Sequence, residues 1–93
     1  MNIQQKDNGK KGSFYIEEAG GLLAEMTYVW SGENKFIIDH TEVSPTLEGK
    51  GIGKQLVHKA VEFARERNVK IMPLCPFAKR VFDKVADYQD VLF

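Results

Sequence analysis

The alternation of hydrophobic and polar residues in the first half of the chain predicts three β-strands. Residues 13–18, 22–30 and 36–43 are rich in aromatic and branched side chains, which favour a pleated backbone. The glycine-containing segments 19–21 and 31–35 separate them and are typical of tight turns. Because such short loops join antiparallel neighbours, the three segments predict an antiparallel meander.

The spacing changes in the second half of the chain and predicts two helices around a fourth strand. Apolar residues recur every three or four positions from Ile52, which is typical of an amphipathic helix that ends near residues 65–68. Residues 69–75 predict a strand, in which Pro73 indicates an edge position or a distortion. Residues 76–88 predict the second helix.

The predicted order is β-β-β-α-β-α, an α/β (α+β) fold in which a βαβ unit continues the meander. The third and fourth strands are therefore expected to run parallel, joined by a right-handed crossover. Residues 1–12 are polar and are predicted to form a flexible N-terminus. Residues 13–93 predict a single small domain.

The composition argues against several kinds of partner. The 93 residues include 13 basic and 13 acidic side chains, and zero net charge disfavours nucleic acid, whose binding requires an excess of cations. A single cysteine excludes an internal disulfide and a zinc cluster built from cysteines, so no metal site is predicted. No apolar run approaches the length of a membrane span. We expect a monomeric, cytoplasmic domain without a membrane partner.

A glycine-rich turn precedes the first predicted helix, in the segment SPTLEGKGIGKQL at residues 44–56. Gly49, Gly51 and Gly53 occupy alternate positions there, which is costly in any regular element. A strand, a glycine turn and a helix start together form an anion site, because unpaired N–H groups point outward and a phosphate can approach the backbone. The segment therefore predicts a phosphate-binding loop.

Two common phosphate-binding motifs do not fit this spacing. A P-loop requires glycine where Glu48 stands and a magnesium-binding hydroxyl where Gln55 stands. A dinucleotide fingerprint requires its third glycine where Lys54 stands. The loop is therefore expected to bind neither ATP nor NAD.

The segment resembles motif A of the GCN5-related N-acetyltransferases, [QR]-x-x-G-x-[GA], which lies between a strand and a helix. A common longer version, V-x-P-x-x-R-G-x-G-I-G, is matched here by Val43, Pro45, Gly49, Gly51, Ile52 and Gly53. The departure is Glu48, where the family usually has arginine or glutamine. The resemblance covers residues 36–85 and implies a truncated form of that family's fold.

The resemblance implies acetyl-CoA or coenzyme A as the ligand. In the family, the pyrophosphate lies on the motif A loop, and the pantetheine arm enters a V-shaped gap between the two parallel strands. By this resemblance, backbone N–H groups of residues 47–54 would hold the phosphates and Val43 would pair with pantetheine. Lys50 and Lys54 would either add charge or simply be solvated. The implied ligand-binding residues are Val43, Leu47, Gly49, Lys50, Gly51, Ile52, Gly53 and Lys54.

The family's usual general acid is missing from this sequence. Its motif N-x-x-A-x-x-x-Y places a tyrosine that protonates the leaving thiolate, but Cys75, Ala78 and Phe82 stand at the corresponding positions. Phe82 has no proton to give. Cys75 is predicted to be the N-cap of the second helix, where a lowered thiol pKa would let it accept the acetyl group in ping-pong chemistry. The alternative is an inert core thiol.

His40 and Glu42 lie two residues apart on the third predicted strand and therefore share a face. A histidine there is predicted to deprotonate an amine or the Cys75 thiol, and the alternative is an exposed pair without a catalytic role. Asp39 and Thr41 are expected on the opposite face, in structural roles. The series HTEV…GxGIG…CPF also resembles a minimal, YjdJ-like subfamily.

The resulting hypothesis is an acetyl-CoA-dependent N-acetyltransferase acting on an unknown amine, which includes a protein or peptide. The family's usual first strand, first helix pair and last two strands find no place in the 93 residues, so the acceptor side is expected to be open. The alternatives are an acyl-CoA-binding or regulatory module with little turnover, and a structural domain whose glycines serve only the turn.

Overall fold

The structure is a five-stranded mixed sheet with both helices packed on one face. It is a computed structural model that describes residues 2–93. The elements in chain order are β1 (Gln4–Asp7), β2 (Lys11–Glu18), β3 (Gly21–Trp30), β4 (Lys35–Val43), α1 (Ile52–Arg67), β5 (Lys70–Pro73) and α2 (Pro76–Lys84). Two 3₁₀ turns, Pro45–Leu47 and Ala86–Val91, precede α1 and follow α2. Within residues 2–93, no helix is both long and apolar enough to cross a membrane.

The sheet confirms the predicted meander and βαβ unit. The strands lie in the order β1-β2-β3-β4-β5, with antiparallel pairing from β1 to β4. β4 and β5 pair in parallel, as expected for strands joined through α1. The second predicted helix is shorter than expected, because a 3₁₀ turn replaces its last residues.

The structure corrects the expectation of a flexible segment at residues 1–12, since Gln4–Asp7 form β1 and pair with β2. All four residues of β1 are exposed, so no hydrophobic alternation marks this strand in the sequence. Side-chain hydrogen bonds fix its end instead. The Tyr28 hydroxyl and the Trp30 indole N–H donate to one carboxylate oxygen of Asp7, at 2.6 and 2.8 Å.

An aromatic cluster joins the sheet to α1. Neighbouring ring centroids in the cluster are 4.8–6.3 Å apart, within the range of favourable aromatic pairs. Its members are Phe14, Tyr28, Trp30, Phe36 and Phe63. Tyr28 and Phe36 are fully buried in the core. Burial of each such ring stabilises the fold by about 1.5–3 kcal/mol.

A register shift at Asp39 divides β4 into two parts. Thr27 of β3 pairs with His40, while the next residue, Tyr28, pairs with Ile38, so Asp39 is left without a partner. Such a bulge turns the strand and changes which side chains face the core. Ile38 is fully buried on the helix side of the sheet. Beyond the bulge, the alternation starts again in the opposite phase.

The bulge corrects the expected placement of Asp39. Its carboxylate accepts a hydrogen bond from the Thr27 hydroxyl at 2.5 Å, so Asp39 lies on the sheet face away from the helices, which we call the outer face. His40 and Glu42 lie on the same outer face, 3.7 Å apart between Nε2 and Oε2. Thr41 lies on the helix side as predicted, because successive side chains of a strand point to opposite faces.

β4 and β5 separate after four residue pairs. The last pair is Ile38 with Pro73, and the next two N–H groups, of Leu74 and Cys75, both donate to the Ile38 carbonyl at 3.0 Å. Pro73 has no N–H to continue the ladder, and β5 lies at the edge of the sheet, as its proline predicts. β4 continues alone to Val43, which leaves a gap beside its final residues.

We expect Asp7 to make the docking of β1 sensitive to acid. Burial opposes ionisation of Asp7, but hydrogen bonds from Tyr28, Gly9 and Trp30 outweigh it and hold its pKa below the ordinary value. A carboxyl with a lowered pKa stabilises the fold above its unfolded pKa, and this contribution is lost as the pH falls below about 4. Asp7→Asn should cost about 1–2 kcal/mol near neutral pH.

Thermal unfolding midpoints measured across this pH range check the prediction. On acidification, the unfolding midpoint of the wild type should fall further than that of Asp7→Asn. Asp83→Asn, on the exposed surface of α2, is the matched control and should behave like the wild type. An equal loss in the wild type and Asp7→Asn would contradict the assigned role.

Candidate functional site

A groove of about 400 Å³ lies where β4, the glycine loop and the starts of both helices meet. It begins beside the part of β4 that β5 leaves unpaired. Its walls are Thr41, Val43, Leu47, Glu48, Gly49, Gly51, Ile52, Gly53, Lys54 and Phe77. The groove thus brings together every residue predicted for ligand binding except Lys50.

Gly49 and Gly51 give the loop its backbone conformation. Their φ angles are +79° and +71°, in the left-handed region that a residue with a Cβ occupies only with strain. A Cβ built at either position would meet no atom within 4 Å. These two glycines therefore turn the chain into α1 and leave open space in front of the backbone.

Five N–H groups at this turn remain free for a ligand. Within residues 2–93, no hydrogen-bond acceptor serves the N–H groups of Gly49, Gly51, Ile52, Gly53 and Lys54. The N–H groups of Leu47, Glu48 and Lys50 are already used inside the loop. The free N–H groups therefore cover fewer residues than the predicted span 47–54. Leu47 is buried and anchors the loop in the core. Free N–H groups at a helix start attract anions.

Gly53 has a different role from the other two loop glycines. A Cβ at this position would lie 2.6 Å from Cζ of the Phe77 ring, a distance that real contacts do not reach. The missing side chain therefore lets α2 pack against the start of α1. Phe77 was not singled out by the sequence, because nothing in its local pattern indicates contact with a residue so distant in the chain.

The charged side chains of the loop are all exposed. Glu48 and Lys54 border the groove, whereas Lys50 does not. None of the three forms an ion pair with another described residue. Glu48 therefore adds negative charge at the edge of an otherwise anion-attracting turn, and Lys54 partly offsets it.

Cys75 lies at the start of α2, as predicted. It is the N-cap residue, and Pro76 is the first helical residue. The thiol is buried, and its Sγ lies 3.3 Å from the Thr41 hydroxyl, to which it donates. Burial opposes ionisation, but the Thr41 hydroxyl and the N–H groups of Ala78 and Phe77 outweigh it, so the pKa of the thiol lies below its ordinary value.

Thr41 connects Cys75 to the groove. Its side chain is partly exposed, lines the groove and contacts Sγ. The sequence assigned Thr41 only a structural role, because neither the bulge in β4 nor the approach of residue 75 is visible in the local pattern. Cys75 itself does not line the groove, so Thr41 is the side chain that separates its sulfur from the open space.

The structure does not bring His40 or Glu42 to Cys75. Both side chains are largely exposed on the outer face, while the thiol lies against Thr41 on the helix side. Among the described residues, no hydrogen bond or ion pair joins either side chain to the Cys75 thiol. This arrangement disfavours His40 as a base for the thiol and leaves it available to a molecule on the outer face.

Phe82 is fully buried in the core. It is 1% exposed, and its ring centroid lies 5.8 Å from that of Tyr88. The Tyr88 hydroxyl is in turn hydrogen-bonded to Nδ1 of His58, at 2.8 Å. The position where the family usually has tyrosine therefore contributes packing only.

We expect Thr41→Val to raise the pKa of the Cys75 thiol. The substitution preserves size but removes the hydroxyl, which stabilises the thiolate by about 1 kcal/mol. The absorbance of the thiolate in the far ultraviolet, followed as a function of pH, measures this change, with Cys75→Ala as the blank. An unchanged titration would show that Thr41 does not tune the thiol.

We expect Gly53→Ala to destabilise the fold through its clash with Phe77. Overpacking of this kind costs about 1–3 kcal/mol, whereas alanine in an unhindered helix position is favourable by about 1 kcal/mol. In a Phe77→Leu background, Gly53→Ala should therefore be much less harmful, as urea unfolding would measure.

Gly51→Ala is the matched control for this double-mutant cycle. Its cost comes from the left-handed backbone, so it should persist in the Phe77→Leu background. Equal costs of Gly53→Ala in both backgrounds would contradict the packing role.

Residues 13–91 match the family model of the GCN5-related N-acetyltransferases, which is most of the chain. A search of curated proteins finds no significant match. The NMR structure of a GCN5-like protein from Staphylococcus aureus is 41% identical and superposes with a TM-score of 0.74, covering 99% of this chain and 89% of that one.

Two more distant structures share the fold. One is a ribosomal-protein-alanine N-acetyltransferase from Brucella melitensis, with 19% identity, a TM-score of 0.68, and coverage of 84% of this chain and 62% of that one. The other is a Clostridium acetobutylicum protein whose structure contains acetyl-CoA, with 22% identity, a TM-score of 0.64, and coverage of 80% and 55%. The YjdJ-like subfamily stays a prediction. The chain belongs to the GCN5-related N-acetyltransferases, a family of enzymes that use acetyl-CoA as the acetyl donor.

Proposed function

We propose that this protein transfers the acetyl group of acetyl-CoA to an amine through an S-acetyl intermediate on Cys75. The observation that carries the proposal is the contact of 3.3 Å between Sγ and the Thr41 hydroxyl, since Thr41 also lines the groove. A buried thiol with a lowered pKa beside a ligand groove is typical of a nucleophile. The reaction needs a free thiol, so we expect the protein to act in a reducing compartment such as the cytoplasm.

The groove fits coenzyme A in both its polar and its apolar parts. Free N–H groups at the start of α1 are suited to the pyrophosphate, with Gly49 and Gly51 leaving space in front of them. Val43 and Phe77 line the groove with apolar surface for the pantetheine arm. The unpaired edge of β4 beyond Ile38 is suited to the pantetheine amides. When bound, acetyl-CoA supplies an activated thioester.

Cys75 performs the first chemical step of the proposal. Its thiolate attacks the thioester carbonyl, so that a new bond forms from Sγ to the acetyl carbon and the carbon–sulfur bond of the donor breaks. Coenzyme A leaves as a thiolate and takes a proton from solvent. The acceptor amine then attacks the acetyl carbon, which releases the Cys75 thiolate, and the amine gives up a proton.

His40 is proposed to take that proton on the outer face. Its Nε2 lies 3.7 Å from a carboxylate oxygen of Glu42, and an exposed imidazole is a common general base. In this proposal, the two substrates lie on the two faces of β4, with the donor on the side of Thr41 and the amine on the side of His40. The side chains of His40 and Glu42 are largely exposed, so the acceptor side is open.

A second candidate function is binding of acyl-CoA with little turnover. Phe82 favours it, because this buried ring stands where the family usually has the tyrosine that protonates the leaving thiolate. The glycine loop and the groove would serve both functions equally. Only the fate of the Cys75 thiol separates them.

We expect incubation with acetyl-CoA, followed by rapid acid quenching and intact mass measurement, to add one acetyl group to the wild type. Fragmentation should place it on Cys75. Cys75→Ala should gain none, although the amide NMR signals of residues 49–54 should still shift when coenzyme A is added.

The outcomes distinguish the candidates. Shifts of residues 49–54 without any acetyl group on the wild type would favour the binding module. Full acetylation of an amine acceptor by Cys75→Ala would show that Cys75 is not the nucleophile. The absence of shifts in the wild type would overturn both functions.

A further inference from the structure

A second cavity, of about 460 Å³, lies on the side of the sheet away from the groove. We call it the outer-face cavity. It is bordered by β1, β2, β3 and the bulge of β4, and none of its residues lines the glycine-loop groove. Its residues are Lys6, Asp7, Asn8, Lys11, Gly12, Ser13, Glu25, Thr27, Tyr28, Val29 and Asp39.

Ser13 is the unusual residue of this cavity. It is 1% exposed, yet its Oγ has no hydrogen-bond partner, which holds for no other buried side-chain oxygen or nitrogen within residues 2–93. A buried hydroxyl without a partner costs free energy, and proteins rarely retain one unless a ligand or water completes it. Because Ser13 lines the cavity, an occupant there would satisfy it.

The residues that line the cavity carry more carboxylates than cations. Asp7, Glu25 and Asp39 are acidic, and only Lys6 and Lys11 are basic. Glu25 and Glu42 lie directly opposite each other on β3 and β4, and like charges in that position repel. Lys6 approaches Glu25 only at 3.7 Å, with its own side chain 65% exposed, which makes a weak pair. Asp39 uses one carboxylate oxygen for Thr27, and its other oxygen has no partner in the described chain. The lining of the cavity therefore carries one negative charge in excess.

The occupant is better matched by an ammonium group than by a metal ion. Among residues 2–93, no group of three or more histidine, cysteine or carboxylate side chains is arranged to hold a metal. An ammonium has three N–H donors, which match Asp39, Glu25 and the Ser13 oxygen. Val29 adds apolar surface for a short alkyl chain.

We propose that the outer-face cavity binds an alkylammonium group of the acetyl acceptor, seated between Asp39, Glu25 and Ser13. This inference rests on the proposed function, because it assigns the acceptor's chemical class. The acceptor then carries two amines, one held as the cation and one left free to react. A free diamine and a lysine side chain near a second amine share this chemistry.

The position of the cavity suits this role. Asp39 directly follows Ile38, whose carbonyl accepts the N–H groups of Leu74 and Cys75 at the point where β4 and β5 separate. An amine anchored at Asp39 therefore lies on the outer face, one residue beyond the point where the two strands separate. The anchored cation and the thiol lie on opposite faces of β4.

Titration of the full chain with diaminobutane, and separately with a short lysine-containing peptide, tests the proposal through backbone amide NMR signals. We expect saturable shifts at Ser13, Thr27 and Asp39 in at least one arm, and the arm with the tighter binding identifies the source of the amine. Butanediol, the neutral counterpart, should produce none. Asp39→Asn should weaken binding roughly tenfold, and Ser13→Ala severalfold.

Glu33→Gln, an exposed carboxylate in the turn between β3 and β4, is the matched control and should bind like the wild type. Glu25→Gln replaces Asp39→Asn should the latter fail to fold. Coenzyme A should still shift residues 49–54 in every folded variant, so loss of amine binding is distinguishable from failure of the donor site. Equal affinity of Asp39→Asn and Glu33→Gln, equal shifts with butanediol, or no shifts at the outer face in either arm would each overturn the inference.

Discussion

The site depends on the early end of pairing between β4 and β5. Both strands must pair to close the core over Phe36 and Ile71, but Pro73 offers no N–H and the ladder ends at Ile38. Leu74 and Cys75 then turn towards the Ile38 carbonyl and start α2, while β4 continues straight. The resulting gap provides an unpaired backbone edge, and the buried thiol of Cys75 lies against Thr41 beside it.

The bulge at Asp39 gives β4 two chemically different faces. Without it, His40 and Glu42 would continue the core-facing series of Phe36 and Ile38 and would be buried as charged groups. With it, Thr41 and Val43 face the groove, and the ionisable side chains face solvent. One extra residue therefore separates a weakly polar face at the groove from an outer face that carries the ionisable side chains.

The three alternate glycines illustrate how one sequence pattern can combine two physical causes. Gly49 and Gly51 are required by a left-handed backbone and leave open space, which is what an anion needs. Gly53 is required by the Phe77 ring, a contact that holds α2 against α1. The left-handed backbone at the first two positions and the close packing at the third fix the same turn.

Local rules made much of the fold and half of the site predictable from the sequence. Period-two and period-3.6 patterns identified the meander, α1 and the crossover, because in these segments burial follows the chain's own geometry. The glycine spacing identified the anion loop for the same reason, since a backbone turn is encoded by adjacent residues. The N-cap position of Cys75 followed from Pro76, whose ring suits the first turn of a helix.

Other features depend on residues far apart in the chain. β1 carries no apolar pattern and is held by Asp7 through Tyr28 and Trp30, more than 20 positions away. The contact of Cys75 with Thr41 spans 34 positions and requires the bulge. The sequence by itself determined every element except β1, and the glycine turn that leaves N–H groups free at the start of α1. Only the tertiary structure decided which side chains share a face and which meet across the gap, because strand register and helix packing are set by the whole core.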